Sequence, residues 1–217
     1  MHKFGLVCGL VIALAGAVSW MGMYQGSIAA PTTGLMAVAD LETVHYYDVK
    51  GRTLDELRGD VFSRGPYDQF KGQRFAGWTS WQIKWWLDHS ASQDSCRVVS
   101  ARTETHVTYT MPRWSDERQA ATDLQQAWRR FVDALIDHEK GHGRIARQLG
   151  ERIKIAIQAL PPRATCRDLE QQANALAQAM IRDDKEQEAY DRRTGHGEKQ
   201  GASFPRLLVR APMTAER

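Results

Sequence analysis

Polar and apolar residues along this chain change period near Pro112. Before it they alternate. Val99, Ala101, Thr103, Thr105, Val107 and Tyr109 take turns with Ser100, Arg102, Glu104, His106 and Thr108, and a period of two predicts a strand over 97–111. The run 74–87 has the same rhythm, with Trp81 and Trp85 on one parity and Trp78 and Trp86 on the other. It reads as a strand covered on both faces. The polar residues 89–95 join the two runs as an antiparallel pair, and 44–49, rich in strand formers, offers a third strand. Thr53, with Glu56 three residues later, makes a capping box for a short helix through Leu54, Leu57 and Val61, which Gly65-Pro66 stops.

After Pro112 the period lengthens. Ser115 is a candidate cap, with Asp116 and Glu117 in the first turn behind it. From Leu124 through Trp128, Phe131, Leu135, Leu149 and Ile153 to Leu160, apolar residues recur at steps of three and four, the stripe of one long helix. Pro161-Pro162 ends it. A second helix starts near Arg167 and carries Leu169, Ala173, Leu176 and Met180 in the same rhythm, so the two form a helical hairpin. Strands first and helices second give an α+β fold: a small antiparallel sheet packed on a long antiparallel helical hairpin. The expected layout is one domain over 30–200, with strands over 30–112 and the hairpin over 115–192. A loose tail spans 201–217.

The first residues fall outside that fold. His2 and Lys3 precede an apolar run from Phe4 to Val18, and small residues follow up to Ala30. This is a secretory signal layout, with cleavage after Ala29 so that residues 1–29 are removed. An uncleaved anchor is the other reading, but the run is short for a spanning helix; with the signal removed no stable membrane span is expected, and the location is secreted or periplasmic. Only Cys96 and Cys166 then remain, and two cysteines in an oxidising compartment pair. The formal net charge of +3, with basic residues scattered, lacks the basic stripe of a nucleic-acid binder. Seven tryptophans point to a core with aromatic walls. Nothing in the chain indicates an oligomeric state.

The chemistry lies inside the long helix. His138-Glu139-Lys140-Gly141-His142 places two imidazoles four residues apart, one turn apart on one face, so both can bind a single cation. Zinc acidifies nearby water, and Glu139, next to the first histidine, can take the proton as general base. Both histidines fall in the inward stripe, where buried rings need partners; acids on the second helix could serve instead of a metal. Gly141 weakens a helix interior and marks either a close helix approach or room for metal or substrate. Simple counting from the hairpin turn sets His138 level with about position 186 and His142 with about position 182, beside the acid-rich stretch Asp183–Asp191. His196 follows on a predicted loop that could fold back over the metal.

These residues resemble a family of exported bacterial proteins described as predicted secreted zinc-dependent proteases. The resemblance rests on Tyr47-x-Val49-x-Gly51 with Leu54 and Leu57, Trp78 and Trp81, and Cys96. It extends through Pro112 with Trp114, Trp128, the His138-Glu139-x-Gly141-His142 motif and Cys166. The ending Tyr190-Asp191-x-x-Thr194-x-His196-Gly197 is its most distinctive part. Met111 departs from it where a leucine is expected. The resemblance implies a zinc-peptidase-like site and export. The expected metal set is then His138, His142 and His196 around Zn2+, since three protein ligands leave a position for water. Asp191 and Glu188 are the alternatives, and Asp191 could otherwise orient a ligand histidine. Tyr190 is a candidate oxyanion donor, or a packing residue of the stripe. The leading function is hydrolysis of a peptide or protein substrate. A cell-wall amide hydrolase with the same site and a non-catalytic metal-binding module are the competing readings.

Overall fold

The structure is a computed structural model that describes residues 41–204. The expected signal peptide and the tail beyond 204 lie outside the described residues. The elements run β1 (Leu41–Val49), α1 (Leu54–Arg64), β2 (Tyr67–Asp68), β3 (Gln73–Arg74), β4 (Trp78–Ala91), β5 (Cys96–Trp114), α2 (Thr122–Gln158), α3 (Cys166–Asp183) and α4 (Glu186–Thr194). Single 3₁₀ turns lie at Glu117–Gln119 and Glu198–Gln200. The class is α+β: a three-stranded sheet packed against α2 and α3, with α4 against α2 and a two-stranded sheet beside α1. Among the described residues no helix is long and apolar enough to cross a membrane.

The main sheet has the order β1-β5-β4. β4 and β5 pair antiparallel, as the short polar link between them predicts, but β1 lies parallel to β5, from Leu41 opposite His106 to Val49 opposite Trp114. The sheet is therefore mixed, not antiparallel. Alternation reports which face a residue occupies and carries no information about strand direction. Here α1, the small β2–β3 sheet and β4 all intervene between β1 and β5, enough chain to carry a parallel crossover.

Four other expectations are corrected. The run 74–87 is not one strand: it breaks at residues 75–77, and β4 begins at Trp78. Among the described residues no second layer covers the outer face of β4; Trp86 is 37% exposed there and lies under the Arg102 guanidinium, 4.8 Å from its ring centre. Ser115 does not cap the long helix. Trp114 is buried and the Ser115 N–H donates to the Val49 carbonyl, so the chain still belongs to the sheet there and needs the turn 115–121 to reach α2. The second limb of the hairpin is not continuous to 192 either. It stops at Asp184, whose extended backbone breaks the helix and whose carboxylate accepts from Arg152 at 2.6 Å. The Thr53 cap holds, accepting from the Glu56 N–H. Its reciprocal bond is shifted by one residue, Glu56 accepting from the Arg52 N–H.

The core has two parts, one at each end of α2. At the first, Trp128, Phe131 and Leu135 meet Leu57, Val107, Met111 and Trp114. At the second, Leu149, Ile153 and Ile157 meet Ile83 from β4 and Ala173 and Ala177 from α3. Each fully buried Leu or Ile here contributes about 1.5–3 kcal/mol. Between the two clusters α2 buries His138, Glu139, Gly141 and Gly143. The apolar stripe is thus interrupted for one and a half turns, and the interruption is polar. Cys96 and Cys166 form a disulfide, Cα–Cα 5.0 Å, that ties the start of β5 to the first turn of α3.

Candidate metal centre

α2 presents His138 and His142 one turn apart, and the break after α3 returns the chain so that α4 faces them. Gln187, Tyr190 and Asp191 sit at i, i+3 and i+4 on α4 and all reach this part of α2. Asp191 Oδ1 lies 3.0 Å from His142 Nε2 and 3.5 Å from His138 Nε2. It is buried, and among the described residues no well-formed hydrogen bond reaches it. The three donor atoms lie within 4.8 Å of one another.

The far sides of both rings are held. His142 Nδ1 is 2.6 Å from Gln187 Oε1, while the same amide donates through Nε2 to the His142 carbonyl at 3.2 Å. That second bond fixes the amide's direction, so Nδ1 carries the hydrogen and donates. His138 Nδ1 is 2.9 Å from Gln200 Oε1. Gln200 Nε2 donates to the Tyr190 hydroxyl, which donates to the His138 carbonyl, each at 3.2 Å. With both Nδ1 atoms used as donors, both Nε2 atoms turn lone pairs toward Asp191. Three electron-pair donors facing one another repel unless a proton or a metal cation lies among them.

The electrostatics agree. Burial alone pushes the Asp191 carboxyl up, but His138, His142 and His196 together hold it well below the usual carboxylate range. Burial pulls the His142 imidazole down, and Asp191, Gln187 and Glu139 outweigh that and raise it.

Glu139 is buried beside the pair. Burial raises its carboxyl above the usual carboxylate range, and Thr79 and the two imidazoles oppose this only in part. The Thr79 hydroxyl lies 2.5 Å from Glu139 Oε2. A side chain at Gly77 would come within 2.7 Å of Glu139 Oε1. The first residues of β4 and the approach to it are therefore shaped around this carboxylate.

Tyr190 stacks on His138, ring centres 5.1 Å apart, and meets His142 edge-on at 5.0 Å. A Cβ at Gly141 would lie 2.1 Å from its hydroxyl, so Gly141 is the close approach of α4 to α2. His196 is exposed, with Nδ1 3.3 Å from Asp191 Oδ2; it stands on the outer side of Asp191 and does not join the three converging atoms. Its backbone is left-handed at φ 54°, between Gly195 and Gly197. Gly197, at φ 85°, also passes so near His138 that a Cβ would lie 3.0 Å from the ring. Glu188 turns away and reaches Arg192 at 3.8 Å. Thr79, Gln187 and Gln200 escape a reading of the sequence, because neutral hydrogen-bonding side chains leave no periodic or charge signal. Gln187 alone had a cue, its place within the acid-rich stretch opposite the motif.

Sheet, helical hairpin and buried cluster together define an α+β protein with a His-His-Asp group that can hold a metal ion. The chain belongs to a family of bacterial proteins of unknown function, DUF922, which it matches over residues 44–197. That description assigns no activity, protease or other, so the chemistry has to be argued from the site. No curated protein and no solved structure matches the chain.

Proposed function

We propose that this chain is an exported zinc-dependent metallopeptidase that acts on a peptide or protein substrate once residues 1–29 are removed. The observation that carries the reading is the convergence of His138 Nε2, His142 Nε2 and Asp191 Oδ1, with both Nδ1 atoms already committed to glutamine oxygens. Two imidazoles and a carboxylate, with a further position left for water, form the donor set of catalytic zinc sites. The buried, unsatisfied Oδ1 fits a cation better than it fits a packing role. The disulfide suits an oxidising, extracytoplasmic location.

Zinc bound there supplies positive charge that acidifies water and offsets the charge developing on a scissile carbonyl. The protein's own groups do the rest. Thr79 engages Glu139 Oε2, which leaves Oε1 to take the proton from the attacking water and pass it to the departing amine. Gln187 and Gln200 fix ring tautomer and direction. Tyr190 braces both rings from behind, and His196 holds the outer oxygen of Asp191.

Metal analysis of the purified chain, paired with Glu139→Gln, tests this. The expected result is one zinc per chain in both proteins, with cleavage of a mixed peptide library by the wild type and a loss of about 10²–10⁴-fold in the variant. A chain that takes up no zinc, and gains no stability from it, would refute the proposal.

A further inference from the structure

A second group of metal-type donors lies away from this centre, where the sheet meets the start of α3. Cys96 opens β5, Cys166 opens α3, and His89 stands near the end of β4. The two sulfurs and an imidazole nitrogen lie within 4.8 Å of one another. The register of β4 on β5 slips between Asp88 and His89, and such a bulge re-aims the side chain beside it. His89 Nε2 in turn lies 3.1 Å from Glu170 Oε1. Glu170 sits four residues after Cys166, on the same face of α3. A disulfide is neutral and has no need of an imidazole beside it; the Glu170 carboxylate stands outside this group of three and touches its imidazole.

Two sulfurs, an imidazole and a carboxylate are the number and kind of donors that tetrahedral zinc takes. Glu170 is hydrogen-bonded to the His89 ring at 3.1 Å, so the fourth donor is already tethered to the third. Cys166 also lies in the first turn of α3, capped by Thr165, where the helix terminus favours a thiolate.

We infer that Cys96, Cys166, His89 and Glu170 form a redox-gated zinc site, separate from the His138 centre and independent of the function proposed for it. In the oxidised protein the sulfurs are joined. A dithiol reductant gives two electrons and two protons, the S–S bond breaks, and the reductant leaves as its own disulfide. Zinc then replaces the two thiol protons, which go to solvent, and His89 and Glu170 complete its shell. Covalent bond and metal thus alternate in one duty, tying β5 to α3. The chain keeps this joint in a reducing compartment as well as an oxidising one.

Cobalt(II) and zinc titrations of the oxidised and phosphine-reduced full chain, under argon, test the site. The expected result is one more equivalent of metal in the reduced than in the oxidised protein, with a sulfur-to-cobalt charge-transfer band. Cys96→Ser loses the band, and His89→Ala and Glu170→Gln each weaken the added equivalent by at least about tenfold. Equal stoichiometry in the two redox states would overturn the inference. So would an added equivalent held as tightly by His89→Ala, or a reduced chain that stays unfolded by circular dichroism with zinc present. Failure of the His138 centre reads out separately, as no metal in the oxidised protein.

Discussion

At the scale of single residues, the informative groups are the ones that hold the reactive ones. Thr79 contributes one hydroxyl to Glu139, 2.5 Å from Oε2, and its loss leaves a buried carboxylate free to turn. Thr79→Val should therefore lower kcat by about tenfold with metal content and KM little changed, a split that steady-state kinetics on a cleaved library peptide reads directly. Gly141 gives a test in which two effects have opposite signs. Glycine to alanine in an exposed helix interior stabilises by about 1 kcal/mol. Here the new methyl would meet the Tyr190 hydroxyl at 2.1 Å, and overpacking of that kind costs about 1–3 kcal/mol. Gly141→Ala should thus destabilise the fold in urea melts. A stabilised variant would mean that α4 does not press on α2 at this point.

Among the elements, the break at Asp184 and Lys185 matters most. Periodicity made the helical hairpin legible, because Leu169, Ala173, Leu176 and Met180 recur at steps of three and four, and Ala173 and Met180 join the cluster of Ile153 and Ile157. It also made the His138-Glu139-x-x-His142 face legible, since spacing on a helix is geometry. The third donor was less so. A continuous second helix puts about position 182 level with His142, whereas the break and the new turn of α4 bring Gln187 and Asp191 there instead. That shift depends on a tertiary bond, Asp184 to Arg152, that no local pattern encodes. The direction of β1 was hidden for a related reason: its residues are mostly exposed and read alike in either direction. The disulfide acts at this scale too. It closes 70 residues of chain between β5 and α3, worth about 4 kcal/mol in the chain-entropy model. Replacing both cysteines by serine should lower the free energy of unfolding by up to that amount under oxidising conditions, as chemical denaturation would measure.

Over the whole molecule, the polar centre divides the core. Trp128, Phe131 and Leu135 pack on one side of it and Leu149, Ile153 and Ile157 on the other. Donors from α2 and α4 meet between, so a cation bound there ties the two helices together at the weakest part of the apolar stripe. Binding to the folded chain alone stabilises it by mass action, about 2.7 kcal/mol at a hundred times Kd. Zinc should therefore raise Tm in proportion to the logarithm of its concentration, and His142→Ala or Asp191→Ala should remove most of that rise. Acid works against it with a definite sign. The metal needs unprotonated Nε2 on His138 and His142, so protons and zinc compete for the same lone pairs. The zinc-dependent part of Tm should shrink as pH falls through the raised titration range of His142 and stay level above it. A zinc increment that is flat across that range in differential scanning calorimetry would place the cation on carboxylates alone, and the two imidazoles would then be core residues bonded to Asp191.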